Sequence, residues 1–154
     1  MGTRAVLLQT FVHGWSRPKG SLRGEMTRGG GGRLTGKVRM VESSAESTTW
    51  LRTMAIAFEG ARRMAEPYVG PVVVQAQFWF DPSGFGEETR QSPFPVHPHI
   101  GDLDKLVRNV LDALQAGKII KDDRQVVDLV DTHKRWIPPS GVSGVGVMVW
   151  TADL

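Results

Sequence analysis

The sequence contains no cysteine. That excludes disulfides, thiolate zinc sites and a cysteine nucleophile. It also fits a reducing compartment, so a cytoplasmic setting is expected. No apolar run reaches the roughly 18 residues of a membrane-spanning helix, so no membrane association is expected. The N-terminal stretch MGTRAVLLQTFVHGW lacks a long hydrophobic region and a small-residue cleavage site. It does not read as a secretory signal. Acidic side chains are nearly missing from residues 1–40, where Glu25 stands alone against Arg4, Arg17, Lys19, Arg23, Arg28, Arg33, Lys37 and Arg39. Residues 81–131 reverse the balance, with ten acidic and six basic side chains. A basic half beside an acidic centre suits a polyanion-binding protein that also carries a cation site. A basic tail on an ordinary domain accounts for the same charge.

The 154 residues, 40% of them hydrophobic, fit one domain spanning 1–154 with a sizeable core. Residues 4–14 read as a strand and 15–36 as a mobile, glycine-rich basic loop. Residues 37–41 read as a short strand and 42–65 as a helix, and GPVVVQAQFWF (70–80) is the clearest strand. A long irregular loop (81–101) carries four prolines and three glycines. Loops of that length usually serve a use or are disordered. A helix over 103–116, a strand over 125–136 and a last strand over 145–150 complete the chain. This interleaving predicts an α/β chain of the α+β type, with a mixed β-sheet packed by two helices.

The central stretch GDLDKLVRNVLDALQAGKIIKDD bears carboxylates at both ends. Leu103, Leu106, Val107, Val110, Leu111 and Leu114 form one apolar helical face. Inside a helix, Asp102 and Asp104 would point roughly 200° apart. They converge only if Asp102 stands before the helix in extended geometry. Gly117 is expected to end the helix. Residues 117–123 are long enough to double back and bring Asp122 and Asp123 toward Asp102. Carboxylates gathered in this way repel one another unless a hard cation, Mg²⁺ or Mn²⁺, joins them. The competing reading is capping by Asp102, dipole complementarity by Asp104 and a turn at Asp122 and Asp123.

The run GDLDKLVRNVLDAL…KIIKDDRQV resembles the signature of the RusA family of Holliday junction resolvases: D-x-D-N-L-x-K, a helix ending L-D-A-L, then D-D-x-Q-[IV]. SRPKGSLR (16–23) is similar to the family's basic proline-rich loop, and THKRW followed by Pro138 and Gly141 is similar to its tail. The resemblance implies a small Mg²⁺-dependent endonuclease, with Mn²⁺ as a substitute, acting as a homodimer on four-way DNA junctions. It leaves 5′-phosphate and 3′-hydroxyl ends. It implies metal binding by Asp102, Asp104 and Asp123, with Asp122 adjacent. Lys105 stands where the family has asparagine, and Arg108 where it has a catalytic lysine. Arg108 keeps a cation there but cannot act as a proton donor or acceptor at neutral pH. DNA phosphates are expected on Arg17, Lys19, Arg23, Lys105, Lys134 and Arg135. The setting implied is a bacterial or phage-infected cell.

The near match GGRLTGKV (31–38) to a phosphate-binding loop has Val38 where the metal-binding hydroxyl belongs, and a strand rather than a helix is expected to follow. His97 and His99 flank Pro98 close to Asp102, which makes His99 a candidate for phosphate or outer-sphere contact. His133 reads as a surface residue. Trp50, Trp79, Trp136 and Trp150 are expected in the core or a dimer contact, and Phe85 and Phe94 are candidates for wedging a junction open. Two other function classes remain: a non-catalytic junction-binding protein on the same fold, and a nucleotide-binding switch using Lys37.

Overall fold

The structure is a computed structural model that describes residues 3–20, 22–28, 34–42 and 45–152. In chain order the elements are β1 (Val6–His13), β2 (Leu22–Arg28), β3 (Leu34–Glu42), α1 (Ala45–Ala61), β4 (Val72–Phe80), α2 (Glu87–Gln91), α3 (Leu103–Ala116), β5 (Val126–Leu129), β6 (His133–Trp136) and β7 (Gly144–Thr151). Single 3₁₀ turns lie at Pro82–Gly84 and Asp123–Gln125.

Strand β4 organises the sheet because its alternation is the strongest in the chain. Val72, Val74, Ala76, Phe78 and Phe80 are fully buried on one face, as the two-residue period of a strand requires. On one side β4 pairs antiparallel with β7, and β7 pairs antiparallel with β1. On the other side two short strands share one edge. β5 runs parallel to Val72–Val74, and β6 runs parallel to Gln77–Phe80. The strand expected over 125–136 is therefore broken at 130–132. Asp131 adopts φ 46°, a left-handed conformation that strands do not use. The ladder survives the break because Val130 N–H donates to the Val74 carbonyl at 3.0 Å. The next N–H of that edge, Ala76, donates to Thr132 Oγ1 at 3.2 Å.

Helices α1 and α3 supply Trp50, Met54, Phe58, Leu106, Val110 and Leu114 to a core shared with β4 and β7. Burying each such side chain contributes about 1.5–3 kcal/mol. Gly117 does follow the end of α3, but its φ of −83° is ordinary. The left-handed residue is Lys118, at φ 62°. Glycine is needed at 117 because α1 comes close: an added Cβ would lie 2.8 Å from the Ala55 carbonyl oxygen.

The mixed sheet packed by two helices is the architecture the sequence predicts. The loop expected over 15–36 contains a strand, because β2 and β3 pair as an antiparallel ribbon. Charged and glycine residues hide its alternation, whereas the pairing is made by the backbone. The run GGRLTGKV leads into β3, a strand where a phosphate-binding loop needs a helix; its residues 31–33 lie outside the described residues. The long loop 81–101 holds a 3₁₀ turn and α2. Behind it, Trp15, Phe80, Phe85 and Trp136 make edge and tilted ring contacts with centroids 5.0–5.8 Å apart. Trp50 and Trp150 are buried, and Trp79 packs edge-on against His133 at 5.8 Å.

Candidate active site

The start of α3 is set by Gly101. Its φ of 85° favours glycine, and an added Cβ would lie 2.7 Å from Pro18 Cγ. This turn delivers Asp102 ahead of the helix in extended geometry, φ −81° and ψ 142°, as the D-x-D spacing requires. The Asp102 carboxylate makes no capping hydrogen bond. Its side chain is 72% exposed and lies 3.7 Å from Lys105 Nζ. The capping alternative for Asp102 is thereby removed. Asp104, exposed in the first turn of α3, lines a recess with Leu103, Val107, Leu129, Asp131 and Thr132. Arg108, also exposed, follows one turn later on the same side of the helix.

The D-D-x-Q segment divides its labour. Asp122 caps the 3₁₀ turn by accepting from Arg124 N–H at 2.8 Å. It also accepts from Arg124 Nε at 2.9 Å and Nη2 at 3.0 Å. These Arg124 hydrogen bonds hold its carboxyl down at about 2. The Gln125 side chain accepts from the N–H groups of Lys121 and Asp122 at 2.8 and 3.0 Å. Its amide donates to the Tyr68 and Gly70 carbonyls at 2.7 and 2.8 Å. Asp122 and Gln125 therefore anchor the turn to the chain entering β4, with the Asp122 carboxylate engaged by Arg124. Asp123 is exposed and lines a recess with Leu111, Val127, Asp128 and Leu129.

The three aspartates implied as metal ligands do not meet within one copy. Among the described residues, no group of three or more His, Asp or Glu side chains lies close enough to hold a metal ion. The physical reason is the direction of α3. Asp123 N–H donates to Gln115 Oε1 at 3.2 Å, and Gln115 stands about 16 Å further along the helix axis than Asp104. Residues 117–123 do turn back, but only as far as the C-terminal half of the helix. The two recesses lie on one strip and share Leu129. Val127 and Leu129 on that strip are 61% and 46% exposed.

The cations gather on the other side of Asp102. A recess of about 590 Å³ is walled by Pro18, Val96, His97 and Pro98 and lined by Lys19, Lys105 and Lys134, with Asp102 beside them. Lys134 Nζ donates to the Gly101 carbonyl at 2.8 Å. Lys19 pairs with Asp112 at 3.1 Å, and its N–H donates to the Lys105 carbonyl at 2.9 Å. Arg17 pairs with Glu46 at 3.1 Å. Of the residues expected on DNA, Arg135 is separated from Lys134. Alternation along β6 sends it to the opposite face from Lys134, where its guanidinium lies 5.0 Å from the centroid of Phe94. The side chain of Arg23 lies outside the described residues.

Three contributors were not anticipated. Asp131 joins Asp104 only because the strand breaks there, which no local pattern announces. His97 lines the basic recess rather than Asp102's neighbour His99, which stacks on it at 5.1 Å. Asn109 is fully buried and donates to the Arg17 carbonyl at 3.1 Å and to the Ser47 carbonyl and hydroxyl at 3.3 Å. A lone polar residue interrupting the buried side of α3 was the available signal for it.

The family model described as Endodeoxyribonuclease RusA matches residues 16–148 of the chain. No curated protein matches it.

Proposed function

The chain belongs to the RusA family of endodeoxyribonucleases, and from that premise we propose that it resolves four-way DNA junctions as a homodimer by Mg²⁺-dependent phosphodiester hydrolysis in recombination and repair. The observation that carries this reading is the start of α3. Of its two exposed carboxylates, Asp102 is spared from capping and borders a lysine-lined recess, and Asp104 lines the neighbouring recess with Asp131. Cations on this side would hold the DNA backbone and set a salt-dependent affinity. Arg108 would offset phosphate charge one turn along.

Among the described residues one copy does not supply a complete set of metal ligands, so no step of the reaction is assigned to the ion. Two copies do better. Edge strand β5 leaves an apolar strip with Asp104 near one end and Asp123 toward the other. A two-fold axis across the strip would align it antiparallel with its own image and bring Asp104 of one copy to Asp123 of its partner. It would also cover an open strand edge and the exposed Val127 and Leu129, which a monomer leaves as an aggregation liability. The all-oxygen donor set so assembled would favour a hard ion such as Mg²⁺ or Mn²⁺ over zinc.

The dispersed aspartates equally support a second reading, a junction-binding protein without cleavage. Incubation with a synthetic four-way junction separates the two. The nuclease reading expects paired cuts in Mg²⁺ that Asp104→Asn abolishes while binding persists. Binding without nicking at every Mg²⁺ and Mn²⁺ concentration tried would establish the second reading.

A further inference from the structure

We infer that the recess between residues 15–20 and the 96–101 turn is a subsite for one unpaired nucleotide of the branched DNA, its phosphate held by Lys105 and Lys134 and its base set against His97 and Pro98. The inference rests on the nuclease reading and names what that site accepts beside the cut.

Phosphate contact alone needs only cations on a convex surface, because a duplex presents its phosphates outward. Here the cations share a concavity with Pro18, Val96 and Pro98. A base stacked within a duplex cannot enter such a recess, whereas an unpaired one offers both a flat apolar face and a phosphate. The volume, about 590 Å³, falls within the roughly 300–1,000 Å³ of small-ligand sites.

The two walls belong to segments far apart in sequence, yet they are fastened to each other. Gly101 allows the close approach of Pro18, Lys134 holds the Gly101 carbonyl at 2.8 Å, and Lys19 N–H holds the Lys105 carbonyl at 2.9 Å. Asn109 fixes the Arg17 carbonyl from beneath, at 3.1 Å. A wall fastened before binding loses little freedom when the ligand arrives.

The His97 ring is placed by an edge contact with Phe85 at 4.9 Å and by stacking on His99 at 5.1 Å. Nδ1 accepts from His99 N–H at 3.1 Å. In the neutral ring that acceptor puts the proton on Nε2, so His97 brings a fixed donor as well as a surface. The Phe85 ring, considered as a junction wedge, instead backs this wall. Lys105 stands where the family signature has asparagine, so part of the recess's positive charge is this chain's own.

The test uses the full chain without metal. Thymidine 5′-monophosphate, inorganic phosphate and thymidine are each titrated while the His97 ring and Lys105 side-chain NMR signals are followed. The mononucleotide is expected to bind at least about tenfold more tightly than phosphate, the difference being base stacking, and Lys105→Asn is expected to weaken it. A four-way junction should displace the mononucleotide at concentrations where a duplex of equal length does not. Phosphate binding as well as the mononucleotide, or a duplex displacing as well as a junction, overturns the inference. Cleavage is scored separately on the same protein. Normal cleavage with no mononucleotide binding rejects this subsite alone, whereas absent cleavage in Mg²⁺ rejects the nuclease reading.

Discussion

If Asp104 of one copy and Asp123 of the other serve the same site, two dead variants must rescue each other. Asp104→Asn and Asp123→Asn each remove a carboxylate from both sites of their own homodimer. Each is expected to lose at least about 100-fold in cleavage, since a metal-centred charge term of several kcal/mol is at stake. In a mixed dimer the two lesions fall together in one site, and the other site has Asp104 from one copy and Asp123 from its partner, both intact. Equal mixing with free exchange gives about half mixed dimers, each with one live site of two, so nicking returns to about a quarter of the wild-type rate. Paired cuts do not return, because resolution needs both sites. The assay is denaturing electrophoresis of a labelled junction after co-refolding of differently tagged variants, with mixed dimers verified by native mass spectrometry. The roughly 16 Å of helix between Asp104 and Gln115 is what makes this outcome necessary. Mixed dimers that nick no faster than either variant alone would refute the shared site and return all three aspartates to one copy.

Three further outcomes follow from single contacts. Asn109→Leu leaves the partly buried Arg17 carbonyl without its 3.1 Å donor. It should cost about 1–3 kcal/mol in urea denaturation and weaken junction binding by loosening residues 15–20. Gly101→Ala places a methyl 2.7 Å from Pro18 Cγ at a φ of 85°. It should cost about 1–3 kcal/mol and abolish cleavage, whereas Gly60→Ala, which meets nothing within 4 Å, should leave cleavage intact. Asp122 is held at about 2 by Arg124; because the folded value is depressed, its stabilising contribution is present above the unfolded carboxylate range, near 4, and lost as pH falls through about 2. In Arg124→Ala the NMR titration midpoint of Asp122 should rise toward the ordinary range, and an unchanged midpoint would contradict the assigned pair.

The readable parts of this chain are those in which side-chain period and burial coincide. The alternation of β4 and the apolar face of α3 are both local patterns fixed by burial on one side, and both elements form where the periodicity places them. Local geometry also supplied a condition that the structure meets: two aspartates two residues apart converge only if the first stands outside the helix, and Asp102 does. What lay beyond the sequence depends on partners distant in the chain. β2 has little apolar alternation and is defined by pairing with β3. The break at Asp131 exists because two short strands share one edge of β4, with Thr132 filling the gap in the ladder. How far residues 117–123 fold back is decided by Gln125, whose grip on the Tyr68 and Gly70 carbonyls has no local signature.

That grip changes how the acidic signature divides. Of its four aspartates, Asp122 is consumed by Arg124 and the turn, so its charge is part of the scaffold. Gln125 and Gly101 are likewise scaffold: one ties the turn to the entrance of β4, and the other admits Pro18 against the start of α3. The carboxylates free for chemistry are Asp102 and Asp104 at one end of a rigid helix and Asp123 toward the other. A helix is a poor device for bringing two points of one chain together, but a good one for holding them apart at a constant distance. Repeated by a two-fold axis, a constant separation becomes a constant coincidence, with the leading end of each helix meeting the trailing end of its image. The apolar face of α3 buries the helix against the sheet, and in a dimer of this kind the helix length would set the spacing between the two cuts.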